Sequence, residues 1–174
     1  MTEEQRKTLL RSQQGELDGV ETYLMLADTV HNPSDQKAFR QLAADEGRHA
    51  AIIKKYTGTI LRPGKLQART VSILYDILGK KILYPLIARF EYDAIPKYRT
   101  LERDFPELGS VMNDEKRHGD IINMLAKNGE EEDEAKWPII LAAILFLIKM
   151  VRIIRMIRRL AVRSDLMTDP DEKG

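Results

Sequence analysis

The sequence predicts an all-α fold: a four-helix bundle with one crossover segment between its second and third helices, and an amphipathic helix appended at the C-terminus. Three observations predict it. Across residues 1–128, glycines and prolines fall almost entirely between periodic apolar segments, and β-branched runs are scarce. The chain has 174 residues, enough to bury one core without disulfides or a structural zinc. A charged pentad also recurs at matching places on two of the expected helices.

The first helix is expected from Thr2 to about Val30, ending at His31-Asn32-Pro33 because proline disfavours a helical residue before it. Ser34 is read as the cap of a second helix, which carries Phe39, Leu42 and Ile53 inward and stops at Gly58. Thr59 to Lys65 is a loop with Pro63-Gly64 as its turn. Leu66 to Leu78 is a short apolar helix ending at Gly79. The third bundle helix occupies Ile82 to Leu101, with Pro85 near its start and Pro96 expected to kink it. Pro106 opens the fourth, which runs to Asn128 with Gly129 as its C-cap. The resulting organisation is a bundle over 1–128, an acidic linker over 129–136, an amphipathic helix over 137–163 and a polar tail over 164–174.

Composition narrows the chemistry. With no cysteine, a disulfide scaffold, a rubredoxin or zinc-ribbon module, a thiolate-held Fe–S cluster and thiol catalysis are all excluded. The net charge of +1 gives no global attraction to nucleic acid, and none is expected as a partner. The N-terminus, Met-Thr-Glu-Glu-Gln-Arg, has no apolar signal region, so a cytoplasmic location is expected.

Only three histidines occur, and two share one pentad. Asp45-Glu46-Gly47-Arg48-His49 on the second helix returns as Asp114-Glu115-Lys116-Arg117-His118 on the fourth. Glu and His three apart project from one helix face, so each pentad offers a carboxylate and an imidazole to one point. The aspartate ahead of each pair is placed to fix a histidine tautomer from behind. The other two helices supply Glu16 with Tyr23 and Glu91 with Tyr98, at identical spacing.

The register closes. Glu16 lies ~21 Å before the end of the first helix and Glu46 ~18 Å into the second; Glu91 and Glu115 match at ~15 Å and ~13 Å. For all four carboxylates to meet, the second and third bundle helices must run parallel. The connection must then cover ~16 Å from Glu46 to the end of its helix and ~18 Å from Gly79 to Glu91. Thr57 to Gly79 spans that distance because Gly79 breaks what would otherwise be one helix.

Four carboxylates and two imidazoles in a bundle core form the ligand set of a dinuclear iron or manganese site. Glu46 and Glu115 would bridge the ions, with Glu16 and His49 terminal on one and Glu91 and His118 on the other. With these residues the chain resembles the ferritin-like superfamily. It is most similar to the rubrerythrin-like branch, including the diiron domains attached to vacuolar-iron-transporter-type membrane proteins. The resemblance covers 1–128. It implies that Tyr23 and Tyr98 hydrogen-bond ligand carboxylates, and that Asp45 and Asp114 bond His118 and His49 across the site. Two departures stand out. The thiolate rubredoxin domain of a full rubrerythrin is absent, so a reductant must come from elsewhere. The further glutamate those proteins carry one turn from the third-helix ligand is also missing, since Ala88 and Ala94 flank Glu91. The family's redox-linked iron movement is therefore not expected.

Plainer readings exist for each residue. One Glu-x-x-His is usually a surface pair; two, each with a helix-matched Glu, favour metal. Asp45 and Asp114 could be exposed charges, and Tyr23 and Tyr98 could be core residues with satisfied hydroxyls. Glu21 lies off the Glu16 face and is expected in solvent. His31 is read as a polar loop residue, and Arg48 and Arg117 as partners of surface acids.

Ile139 to Ile148 is unbroken apolar sequence, followed by Lys149, Arg152, Arg155, Arg159 and Arg163 on one face. That run is far shorter than the ~20 residues a membrane span needs. A helix lying on the inner leaflet, with Trp137 as interfacial anchor, and a subunit interface both remain open, since each buries the same stripe.

The functional expectation is a cytoplasmic diiron oxidoreductase, peripheral on the inner membrane face where the C-terminal helix meets lipid rather than a second subunit. It would oxidise Fe(II) with O2 or peroxide, or reduce peroxide, the metals acting as Lewis acids and one-electron donors. Glu46, Glu115, Tyr23 and Tyr98 are the expected catalytic residues. Two iron ions are the expected cofactor, with manganese also suited to the donors. Expected partners are O2 or hydrogen peroxide, an external electron donor, further copies of the chain, and the membrane surface through 137–163. Two alternatives share the ligand set: a membrane-docked diiron oxygenase acting on an apolar substrate such as a quinone precursor, and a non-catalytic iron-binding module serving a membrane iron transporter.

Overall fold

Five helices and no strand make up the residues described, 1–128, in a computed structural model: α1 (Glu3–Thr29), α2 (Pro33–Thr57), α3 (Leu66–Leu78), α4 (Lys80–Glu102) and α5 (Leu108–Lys127). The linker, amphipathic helix and tail expected at 129–136, 137–163 and 164–174 lie outside the described residues. No described helix is long and apolar enough to cross a membrane.

Local chemistry sets the boundaries. Thr2 caps α1 through a reciprocal pair with Gln5, whose amide donates to Thr2 Oγ1 at 3.1 Å while the Thr2 amide donates to Gln5 Oε1 at 2.8 Å. The cap of α2 is Asn32 rather than Ser34. Its side-chain oxygen accepts from the Ser34 amide at 2.8 Å and the Asp35 amide at 3.3 Å, with Pro33 in the first helical position. Proline's fixed φ suits that position, and the short Asn side chain reaches the next two free amides. Gly58 ends α2 in the left-handed region at φ 62°. Gly79 is the hinge between α3 and α4: its φ of 68° and ψ of 172° suit only glycine, and α4 restarts at once, at Lys80. The third bundle helix thus begins two residues earlier than the sequence suggests.

The prolines bear differently on α4 and α5. α4 runs unbroken through both Pro85 and Pro96. Each proline forfeits one helical hydrogen bond, but packing on both sides holds the helix. α5 begins at Leu108, two residues after Pro106, and its C-cap is Asn128 rather than Gly129, which lies outside the described residues.

α1 pairs with α2 and α4 with α5 along their lengths, α3 crosses over α1, and α2 meets α5 along a narrower seam. The core divides in two. One apolar cluster contains Leu26, Phe39, Tyr84 and Ile122; the other contains Leu9, Ile53, Leu101 and Leu108. Along every bundle helix, the site residues lie between members of these two clusters. A polar layer is therefore closed by an apolar plug at each end.

Candidate metal centre

Each bundle helix delivers its share to this layer: Glu16 from α1, Glu46 and His49 from α2, Glu91 from α4, Glu115 and His118 from α5. None of the six is more than 9% exposed. Burying four carboxylates beside two imidazoles is costly unless something compensates the charge.

Ligand-type atoms fall into two groups, each with all atoms within 4.8 Å of one another: Glu16, Glu46, His49 and Glu115, and Glu46, Glu91, Glu115 and His118. Glu46 and Glu115 belong to both. Each histidine turns Nδ1 inward. His49 Nδ1 lies 3.2 Å from Glu16 Oε2 and 3.3 Å from Glu115 Oε1. His118 Nδ1 lies 3.1 Å from Glu46 Oε1 and 3.3 Å from Glu91 Oε2. The rings stack with centroids 5.4 Å apart. Each Nε2 turns outward, His49 to Asp114 Oδ2 at 3.1 Å and His118 to Asp45 Oδ2 at 3.3 Å. A proton held on Nε2 by an aspartate leaves Nδ1 with its lone pair pointing into the layer.

The tyrosines cross the bundle. Tyr23 donates to Glu91 Oε1 and Tyr98 to Glu16 Oε1. Each leaves the second oxygen of its glutamate facing a histidine. Burial, then the surrounding carboxylates, holds both phenols well above their ordinary range.

The electrostatics record the missing compensation. Burial and the charges of Glu16, Glu91 and Glu115 push Glu46 well above the carboxylate range. Burial and the same kind of repulsion, opposed by His49, raise Glu115 to about 8. Burial would lower His49, but Glu115, Glu16 and Asp114 outweigh it and raise it to about 10. Burial would also raise Glu16, but hydrogen bonds and the His49 charge lower it. Without metal, the layer therefore holds protons where cations would sit. Glu46 Oε1 and Glu115 Oε1 are buried, approached by a histidine Nδ1 at 3.1 Å and 3.3 Å without a well-aligned hydrogen bond, and they belong to the two residues common to both groups. Buried carboxylate and imidazole donors converging in two groups suit metal binding, iron among the hard-donor metals.

Sequence reasoning misplaced or missed several neighbours. Arg48 and Arg117 do not pair with surface acids. Both bond the pentad aspartates themselves: Arg48 holds Asp45 and approaches Asp114 at 3.6 Å, and Arg117 bonds Asp45 and Asp114 at 2.8 Å each. The short distance between α2 and α5 draws the guanidinium groups across the seam. Glu21 is half-buried rather than free, and lies 4.0 Å from Lys65 of the loop. His31 is exposed between α1 and α2. Gly19 was missed. A Cβ there would stand 2.8 Å from Glu46 Oε2, so the carboxylate packs onto the α1 backbone. Its signal was the alignment of Glu16, Gly19 and Tyr23 with Glu91, Ala94 and Tyr98. Ser12 was missed too: its hydroxyl is buried without a partner, close enough to Tyr98 to oppose the rise of that phenol. Ala88 is fully buried and Ala94 packs on the second apolar cluster, so both flanks of Glu91 are filled by core.

The sequence profile of the family described as Rubrerythrin matches residues 7–126, well over half of the chain. No curated protein and no solved structure matches.

Proposed function

Because the chain belongs to the rubrerythrin family, we propose that residues 1–128 form a non-haem diiron oxidoreductase that oxidises Fe(II) with O2 or peroxide, or reduces peroxide. One observation carries the reading. Two donor groups share Glu46 and Glu115, and each of these residues turns a buried oxygen toward a histidine Nδ1, Glu46 toward His118 at 3.1 Å and Glu115 toward His49 at 3.3 Å. Glu16 and His49 would hold one ion, Glu91 and His118 the other, with Glu46 and Glu115 between them. Bound iron would supply Lewis acidity and one-electron reducing power.

The chain's own residues do the rest. Asp114 and Asp45 fix the imidazole tautomers, so that both Nδ1 atoms offer lone pairs inward. Tyr98 and Tyr23 hold one oxygen of Glu16 and of Glu91, which orients the other. Their hydroxyls stay protonated at neutral pH and can supply a proton at the Glu16 and Glu91 oxygens. The two apolar clusters keep bulk water out, which strengthens every charge interaction inside. For peroxide reduction the electrons would come from an external donor, and for Fe(II) oxidation from Fe(II) itself. With Ala88 and Ala94 one turn either side of it, Glu91 would be the one carboxylate that face of α4 offers to a bound ion.

The test is consumption of O2 and of hydrogen peroxide by the iron-loaded chain, beside Glu46→Ala and Glu115→Ala. Turnover in the parent and none in either variant is the expected result. Iron held by the parent with neither oxidant consumed would overturn the oxidoreductase and leave an iron-holding module. Retained occupancy at both ions in a Glu46 or Glu115 variant would overturn the bridging assignment.

A further inference from the structure

α2 differs from the other described helices in its exposed charges. Lys37, Arg40, Arg48, Lys54 and Lys55 are all exposed, while its three acids, Asp35, Asp45 and Glu46, are all buried. α1, α3, α4 and α5 each expose both signs. Lys37, Arg48 and Lys55 are spaced by about three turns and then two, so they form one line along the helix. Arg40 and Lys55 are offset by Asp28 and Glu107, and Lys37 and Lys54 carry the unpaired positive charge of the face.

The middle of that line is wired to the site. Arg48 and Arg117 are 55% and 50% exposed at the side chain, yet both bond the buried machinery. Arg117 Nη2 reaches Asp45 Oδ2 at 2.8 Å, and the same oxygen meets His118 Nε2 at 3.3 Å. Arg117 Nη2 also reaches Asp114 Oδ1 at 2.8 Å, and Asp114 Oδ2 meets His49 Nε2 at 3.1 Å. Solvent is thus two hydrogen bonds from either histidine, and both routes surface at the same guanidinium pair.

We propose that the α2–α5 seam around Arg48 and Arg117 is the docking face for an acidic one-electron carrier protein, which passes electrons inward through Asp45–His118 and Asp114–His49. The proposal rests on the oxidoreductase reading and adds the chemistry of the partner and the place it binds. A positive face draws an acidic carrier into encounter and orients it with the two routes beneath. An anionic lipid surface would meet the same charges, but it gives no reason for the central arginines to be tied to the aspartates behind the histidines. The balance is simple. Each encounter oxidises one carrier by one electron, and two encounters with two solvent protons turn one hydrogen peroxide into two waters as its O–O bond breaks.

The test uses the full chain and a reduced plant-type [2Fe–2S] ferredoxin as acidic probe. Calorimetry measures binding with and without iron, and stopped-flow measures reduction of the iron-loaded chain. The triple variant K37E/R40E/K54E touches no site residue. It should lose at least about ten-fold in ferredoxin binding and reduction rate at low salt. Its reduction by a small neutral hydroquinone should match the parent, and R155E/R159E in the basic C-terminal stretch should behave as the parent. Ferredoxin that binds or reduces parent and triple variant alike would overturn the proposal, as would loss confined to R155E/R159E or equal binding of basic cytochrome c. So would loss of binding to phosphatidylglycerol vesicles by the triple variant with its ferredoxin rate unchanged. A chain that binds no iron would fail the oxidoreductase reading instead, while the calorimetric comparison without iron would still decide the docking face.

Discussion

The bundle consists of two hairpins that present the same ligands in different surroundings. α1 and α2 carry Glu16, Tyr23, Glu46 and His49; α4 and α5 carry Glu91, Tyr98, Glu115 and His118 at equal spacings. Around them the halves diverge. Asp45 is 2% exposed at the side chain and its counterpart Asp114 28%. Gly19 lets Glu46 rest on the α1 backbone, where the second hairpin has Ala94. Ser12 sits four residues before Glu16, and Ile87 sits four before Glu91. A repeated motif secures the donor set, while the residues between its letters make the two donor groups inequivalent.

The largest expected effect abolishes the comparison altogether. Glu115→Ala should remove both ions, since Glu115 belongs to both donor groups, whereas His118→Ala should empty one position and leave the other partly filled. Metal analysis after anaerobic loading separates the two. The aspartates come next. Asp45→Asn should weaken iron binding by about 10- to 100-fold, as loss of a histidine's outer partner typically does. Asp114→Asn should do less, because water can reach its place. Equal losses would mean the difference in burial is irrelevant.

Gly19→Ala should split stability from binding. Alanine in a helix gains about 0.5–1 kcal/mol over glycine, so the metal-free protein should melt higher. Its new methyl displaces Glu46 Oε2, so iron affinity should fall. Ala94→Gly should lose a similar stability and keep its iron. A pH slope tests the same residues in the metal-free protein. Glu115 at about 8, above its ordinary 4.5, and His49 at about 10, above its ordinary 6.5, both hold protons in the fold that the unfolded chain releases. The stability each contributes is complete below its ordinary value and lost as pH rises through its folded value. Thermal melts of the metal-free protein should therefore fall as pH rises from about 4.5 to about 10, Glu115 acting in the lower part and His49 in the upper. His49→Gln should flatten the upper part of that slope, and iron loading should remove it.

Periodicity made most of the fold legible. The apolar spacing located the bundle helices, Gly58 and Gly79 marked the crossover, and the pentads placed two Glu–His pairs on helix faces with the right register. Short-range competition hid the rest. Asn32, Ser34 and Pro33 all suit a helix start, and only geometry shows which oxygen reaches the free amides. Proline within α4 reads as a kink in sequence, and the helix continues through it. Gly19 and the crossing of Arg48 and Arg117 depend on how close two helices come, which no single helix encodes.

The central claim is that two ions share Glu46 and Glu115. An anomalous-difference map of crystals of the anaerobically iron-loaded chain tests it most directly. The account predicts two iron peaks in the layer between the apolar clusters, both touching Glu46 and Glu115, with His49 on one and His118 on the other. A single peak, or two that share neither glutamate, would contradict it.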